Sequence, residues 1–373
     1  MFARLIKGCV FAAIGVLTLV ANDLKASDDL KVVEIAAGAY HTIALDNKGG
    51  VWTTGANVHG QLGLGDNNER KRFEKTALTN IKSIAASSFN SFAFDTRGKT
   101  WVTGDNYNGQ LGLGNFKNRA AFEQSAMENI TAISGSAHTV VLDSAANVWT
   151  AGRNKNAERG INAPFKIATF IKTDLKNIKA IAAGESFTIA LDNNGEVWAA
   201  GRNKEGELGL GDRVNRQKFV KTNLKNIVAI AAGEYHAMAI DNGANVWVTG
   251  GNKNLQLGLG DDKNRFEWTK TDLKNIAAIA ASHDHSVALD RNGDVWICGR
   301  NHYGQLGIEV NKNAPSFIKT DLKNIKAIAA GYRHTVALDK NGKIWATGSN
   351  GEGQLGVGDA IERQSDRFIQ IPF

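Results

Sequence analysis

The stretch FIKTDLKNIKAIAAGYRHTVALDKNGKIWATG (317–348) decides the fold. Its first piece, FIKTD, is rich in β formers, and LKN interrupts it. IKAIAAG alternates apolar with other residues, HTVALD alternates again, KNG turns the chain, and KIWATG follows. Each piece runs five to seven residues and is bounded by Gly, Asn or Asp, the pattern of short strands and tight turns. No window carries an apolar stripe at helical spacing. The stretch reads as one four-stranded antiparallel sheet.

That sheet recurs. Trp52, Trp101, Trp149, Trp198, Trp247, Trp296 and Trp345 stand 48 or 49 residues apart, and only Trp268 is out of step. A glycine-rich piece follows each of the seven: GQLGLG (60–65), NGQLGLGN (108–115), AERGIN (157–162), GELGLG (206–211), LQLGLG (255–260), GQLGIE (304–309) and GQLGVG (353–358). One such loop before a helix would suggest a phosphate cradle. Seven evenly spaced versions read as a structural element made once per repeat.

A sheet with two apolar faces is not stable alone. Seven of them packed face to face around an axis bury those faces, so the expected fold is all-β, a seven-bladed β-propeller of four-stranded antiparallel blades. The first unit opens at KVVEIAAG (31–38) with no preceding FIKTD piece, and FIQI (368–371) aligns with FIKT (317–320). The expectation is therefore closure by pairing of the N- and C-terminal strands, with 368–371 in the first blade's sheet. Residues 27–373 would form this one domain.

The combination A-A-G-x-x-H-T-x-A-L-D and G-x-V-W-x-x-G-x-N-x-x-G-Q-L-G-L-G, repeated over about 31–373, resembles the regulator of chromosome condensation repeat. The resemblance implies a seven-bladed propeller and a role in binding other macromolecules. It also brings in guanine nucleotide exchange on a small GTPase, and chromatin or DNA association, as alternative functions. Exchange in that family uses a wedge inserted in one blade. Spacings that never exceed 49 leave no room for an added hairpin here.

Residues 1–26 differ from the rest. Arg4 and Lys7 precede GCVFAAIGVLTLVA (8–21), an uncharged run too short to span a bilayer and right for the core of a cleavable signal peptide. The protein is accordingly expected outside the cytoplasm, periplasmic or secreted, with no stable membrane insertion after cleavage. Three positive charges and one negative leave with that segment, so the net charge of +7 becomes +5. The remaining charges are scattered and mixed in sign, unlike the basic stripe of a nucleic-acid binder, so no nucleic acid is expected as partner. Cys298 remains as a single cysteine, so no intrachain disulfide is possible, and it reads as a small buried apolar residue.

No Ser-His-Asp or Cys-His set stands out from the repeat, and nothing nominates a catalytic residue, a cofactor or a metal. His41, His138, His236, His285 and His334 share one position in their units, with Asn90 and Phe187 in the other two. Each is expected to hydrogen-bond locally at a turn. In AGRNKNAERGIN (151–162) Arg159 replaces the usual leucine, where it must reach solvent or a carboxylate.

Loops at one end of the barrel vary within the fixed frame, as a recognition surface requires. The slots before the histidine supply Tyr40, Phe89, Tyr235, Tyr332 and Arg333. The crossover after the tryptophan strand supplies Tyr107, Arg153, Arg202, Arg300 and Tyr303. Tyr and Arg are enriched in binding hot spots. The chain is expected to be a monomeric, exported, non-enzymatic scaffold, for interaction or inhibition, whose partner is another protein.

Overall fold

The computed structural model describes residues 29–308, 312–361 and 367–373; the signal segment expected at 1–26 lies outside them. In the quoted stretch, Ile325–Ala330, His334–Asp339 and Ile344–Gly348 are consecutive antiparallel strands. The same triplet recurs in every repeat, and a fourth strand follows each glycine-rich crossover. The result is seven four-stranded sheets, blades 1 to 7, over residues 32–75, 81–128, 130–172, 178–221, 227–270, 276–319 and 325–371. No helix occurs among the described residues. The expected all-β propeller of seven four-stranded antiparallel blades is the fold.

Closure differs from the expectation. The C-terminal strand Ile369–Ile371 pairs with Ile344–Gly348, Trp345 opposite Gln370, and is the outer strand of blade 7. The N-terminal strand Val32–Ala37 lies in blade 1, whose outer strand is Arg70–Lys75. The two chain ends share no sheet. The cause is the phase of the repeat: each crossover folds back antiparallel onto the tryptophan strand it has just left, as in Trp296 opposite Lys319 and Gly299 opposite Ala314. A FIKTD piece therefore ends one blade and does not begin the next.

The ring closes by side-chain packing between blades 7 and 1. Val32, Ile35 and Ala37 share one buried cluster with Val336, Leu338, Leu355 and Ile371. Gly358 N donates to Lys71 O at 2.7 Å beside a bridge between Arg72 and Val357. Similar clusters fill the other junctions, so the core is divided among the blade interfaces.

Two devices register neighbouring blades. In the first, an aromatic of the outer strand, or in blade 7 the residue just before it, lies against the glycine two places after Gln or Glu in the preceding blade's crossover. Phe73, Phe122, Phe170, Phe219, Trp268, Phe317 and Phe368 stand 2.1–2.9 Å from where a Cβ would project on Gly356, Gly63, Gly112, Gly160, Gly209, Gly258 and Gly307. All seven glycines have positive φ, so both backbone and neighbour exclude a side chain. Trp268, off the 49-residue beat, belongs to this phenylalanine column.

The second device is the histidine column, and it is not local to a turn. Each histidine is fully buried. Nε2 of His41, His138, His236, His285 and His334 meets the hydroxyl of Ser91, Thr188, Ser286, Thr335 and Thr42 on the next blade at 2.8–3.1 Å. Each hydroxyl donates its own proton to a crossover carbonyl of the histidine's blade, as Thr42 does to Gln354 O at 2.7 Å. The hydroxyl must therefore accept from the imidazole, which fixes the Nε2–H tautomer. The pair is spent on the neighbouring blade because the turn it borders already satisfies itself with backbone bonds such as Gly38 N to His41 O at 2.9 Å.

The aspartate of each L-D pair closes its hairpin. Asp46 Oδ1 accepts from the Lys48 and Gly50 amides, and Oδ2 accepts from Trp52 Nε1 at 2.8 Å. Trp149 and Trp247 make the same bond at 2.9 Å. The half-buried tryptophans then pack between blades.

Candidate partner-binding face

At the end of the barrel where the first two strands of each blade meet, a two-residue turn separates the recurrent G or S from the column residue. The first of those two residues is Ala39, Ser88, Ser136, Glu185, Glu234, His283 or Tyr332, and all seven line one concavity of about 410 Å³ on the axis. Backbone bonds between neighbouring turns hold its rim: Ala39 N to Ser88 O, Tyr332 N to Ala39 O and Glu234 N to Ser282 O, at 2.9–3.1 Å. The mouth is thus built on the ends of buried strands, which makes its side chains well positioned.

Aromatic rings form an arc over half of the mouth. Phe89 to Tyr40 is 6.3 Å between centroids, Tyr40 to Tyr332 5.5 Å, Tyr332 to His283 4.0 Å in a stack, and His283 to Tyr235 6.0 Å. Tyr40, Phe89 and Tyr332 line the concavity itself. The structure brings together four aromatics that the sequence nominated and joins them through His283, which it did not. His283 occupies the first slot of its turn, whose residue lines the concavity in all seven blades, so the signal was available.

The nominated arginines are largely committed within the chain. Arg153 lines the mouth but donates to Glu158 Oε1 at 2.8 Å, Glu185 O at 2.8 Å and Ser186 Oγ at 2.9 Å. Arg202 pairs with buried Glu207, whose carboxyl burial pushes upward in pKa, and lies over the Tyr235 ring at 5.0 Å. Arg300 reaches Asp284 Oδ2 at 3.2 Å. Arg333 covers Tyr303 at 4.3 Å and Tyr332 at 5.4 Å. Tyr107 stands apart from the arc, 70% exposed, with Lys166 Nζ 4.7 Å from its ring centroid.

Charge is uneven around the mouth. His283 Nε2 lies 2.6 Å from Glu234 and its Nδ1 2.7 Å from Asp284. Burial opposes the Asp284 charge, but the His283 and Arg300 partners outweigh it and hold that carboxyl below its ordinary range. Burial, followed by the nearby Glu185 charge, raises the Tyr235 phenol. Burial raises the Tyr332 phenol as well, so both rings stay neutral donors at physiological pH.

Comparisons with known proteins agree with the propeller fold. The RCC1-like domain profile matches residues 125–372, and the Regulator of chromosome condensation (RCC1) repeat matches 32–61 and 48–94. No curated protein sequence matches the chain. Among solved structures, yeast RCC1 (Prp20) bound to Kap60 is similar with a TM-score of 0.80 at 21% identity, over 95% of this chain and 91% of that one. The Prp20p structure from Saccharomyces cerevisiae, described with its binding properties to Gsp1p and histones, gives 0.78 at 22%, over 94% and 90%. Human WBSCR16 gives 0.76 at 19%, over 87% and 94%.

Proposed function

The chain belongs to the RCC1-like domain family, and from that premise we propose that it is an exported propeller that binds another protein through the face carrying the axial mouth. The observation that carries this reading is the arc Phe89–Tyr40–Tyr332–His283–Tyr235, set over a concavity by turns that are themselves hydrogen-bonded blade to blade. Rigid aromatics around a concave centre supply contact area at little entropic cost. A yeast propeller of the same fold is seen bound to Kap60, which supports a protein as the class of partner. The run at 8–21 supports action outside the cytoplasm. In this reading the chain acts as a monomer that scaffolds or inhibits without catalysing.

The test is capture from the extracytoplasmic fraction with the native chain and with the Tyr235→Ala/Tyr332→Ala variant. Both rings sit at the mouth and outside the buried clusters between blades, so the variant should keep the native fold, checked by its melting temperature. Loss of the captured partner is expected, and equal capture by both proteins would refute the face. A parallel assay of labelled nucleotide release from a panel of small GTPases addresses exchange: release at catalytic protein concentrations would replace the scaffold reading.

A further inference from the structure

We infer that the axial mouth receives a basic side chain, lysine or arginine, projecting from the docked polypeptide. The inference rests on the docking face proposed above and specifies what its centre recognises. The charged residues that line the concavity are Asp105, Glu185 and Glu234 against Arg153 and the His283 imidazole. Arg153 is neutralised from inside by fully buried Glu158, 2.8 Å away, and its contact with the Glu185 carboxylate is longer, 3.8 Å. The His283 imidazole is shared between Glu234 and Asp284, and Asp284 also takes Arg300, so Glu234 has only a share of one imidazole. The mouth therefore keeps an excess of negative charge even with His283 protonated.

The opposite wall is aromatic. Tyr40, Phe89 and Tyr332 line it, and their faces attract cations. The rim already shows this preference, since Arg333 lies over Tyr332 and Arg202 over Tyr235. A guest between the two walls meets π faces on one side and carboxylates on the other. An acidic guest would face Glu185 and Glu234 at close range. An apolar guest would strip water from those carboxylates and return no hydrogen bond. A guanidinium or ammonium satisfies both walls at once. A volume of about 410 Å³ falls in the lower range of ligand-holding pockets, suited to one long side chain.

The experiment measures binding of capped tripeptides to the full chain by saturation-transfer NMR at low salt. The probes are acetyl-Gly-X-Gly-amide with X as arginine, lysine, citrulline or glutamate. Arginine and lysine peptides should bind, with citrulline, the uncharged isostere of arginine, and glutamate at least about tenfold weaker. Glu185→Gln/Glu234→Gln should weaken the arginine peptide at least about tenfold, while Lys274→Gln, in a turn at the opposite end, should not. If the double variant melts early, Glu185→Gln alone, at a partly exposed side chain, replaces it.

No binding of the arginine peptide at about 10 mM, equal binding of citrulline or glutamate, or unchanged affinity in the Glu→Gln variants would overturn the inference. Failure here with partner capture still lost in Tyr235→Ala/Tyr332→Ala would leave the docking face standing. Peptide binding as expected, with capture unaffected by the tyrosine changes, would retain the cation site and discard the face.

Discussion

Arg159 shows what one residue does against the frame of its repeat. Leu62, Leu111, Leu208, Leu257, Leu306 and Leu355 fill the equivalent position in the other blades, all buried. Arg159 is buried too, with Nη2 donating to Pro164 O at 2.7 Å and with Nε and Nη1 unpartnered. It neither reaches solvent nor pairs with a carboxylate, the two outcomes the sequence led us to expect. Burial lowers its pKa to about 10, which leaves it charged at neutral pH. A buried charge so poorly satisfied costs stability. Arg159→Leu should therefore raise the unfolding free energy by about 1–4 kcal/mol, less ~1 kcal/mol for the orphaned Pro164 carbonyl, read as a higher urea midpoint. That the position was anomalous was legible in AERGIN; where the guanidinium goes was not, because Pro164 lies outside the repeat pattern.

The histidine–hydroxyl pair is the coupling element, and its logic runs through the sequence once the partner is known. Phe187 replaces the histidine of blade 4, and Ala237 replaces the hydroxyl that would receive it in blade 5, both fully buried. Asn90 replaces the histidine of blade 2, and Thr139 Oγ1 of blade 3 is left without a partner. Reading one repeat at a time hid this, since the partners lie about one repeat apart, |i−j| of 50. The strands and hairpins were legible because their signals are local. Strand phase was not, because a FIKTD piece between two blades can be assigned to either until the crossover is seen. The natural Phe–Ala pair makes a prediction. His236→Phe and Ser286→Ala should each cost about 1–3 kcal/mol, and the double variant at least ~1 kcal/mol less than their sum, in a double-mutant cycle by denaturant unfolding.

The same element sets the response to acid. Burial lowers His41, His138 and His236 from 6.5 to about 4, and His285 and His334 to about 3. Below pH 6.5 the unfolded chain binds protons that the folded chain cannot, so stability falls as pH drops from 6.5 toward 4. Each histidine contributes a slope of up to about 1.4 kcal/mol per pH unit. Glu34 works the other way by one proton: burial raises it from 4.5 to about 8, so acidification over that window favours the fold. The net expectation is a steep loss of stability between pH 6 and 4, tracked by melting temperature in buffers of matched ionic strength. A flat profile there would contradict the buried, neutral column.

At the scale of the whole molecule, the protein is a ring in which each blade is complete in itself and packed on the next, the last on the first as any other pair. The mouth owes its shape to that ring, because its lining comes from all seven turns. Composition and repeat count were legible in the sequence. The inequality of the mouth, aromatic on one side and acidic on the other, was not, since it depends on how side chains of neighbouring turns pack against one another around the axis. The joint between blades 7 and 1 is the place where the ring is most exposed to test. There His334 Nε2 meets Thr42 Oγ1 at 3.1 Å across 292 residues of sequence. Long-range ¹⁵N–¹H NMR of the imidazoles is the most direct measurement. A closed ring predicts that His334 carries its proton on Nε2, keeps that tautomer without titrating from pH 8 to 5, and shifts on Thr42→Ala. A His334 that titrates near 6.5, or ignores Thr42→Ala, would contradict it.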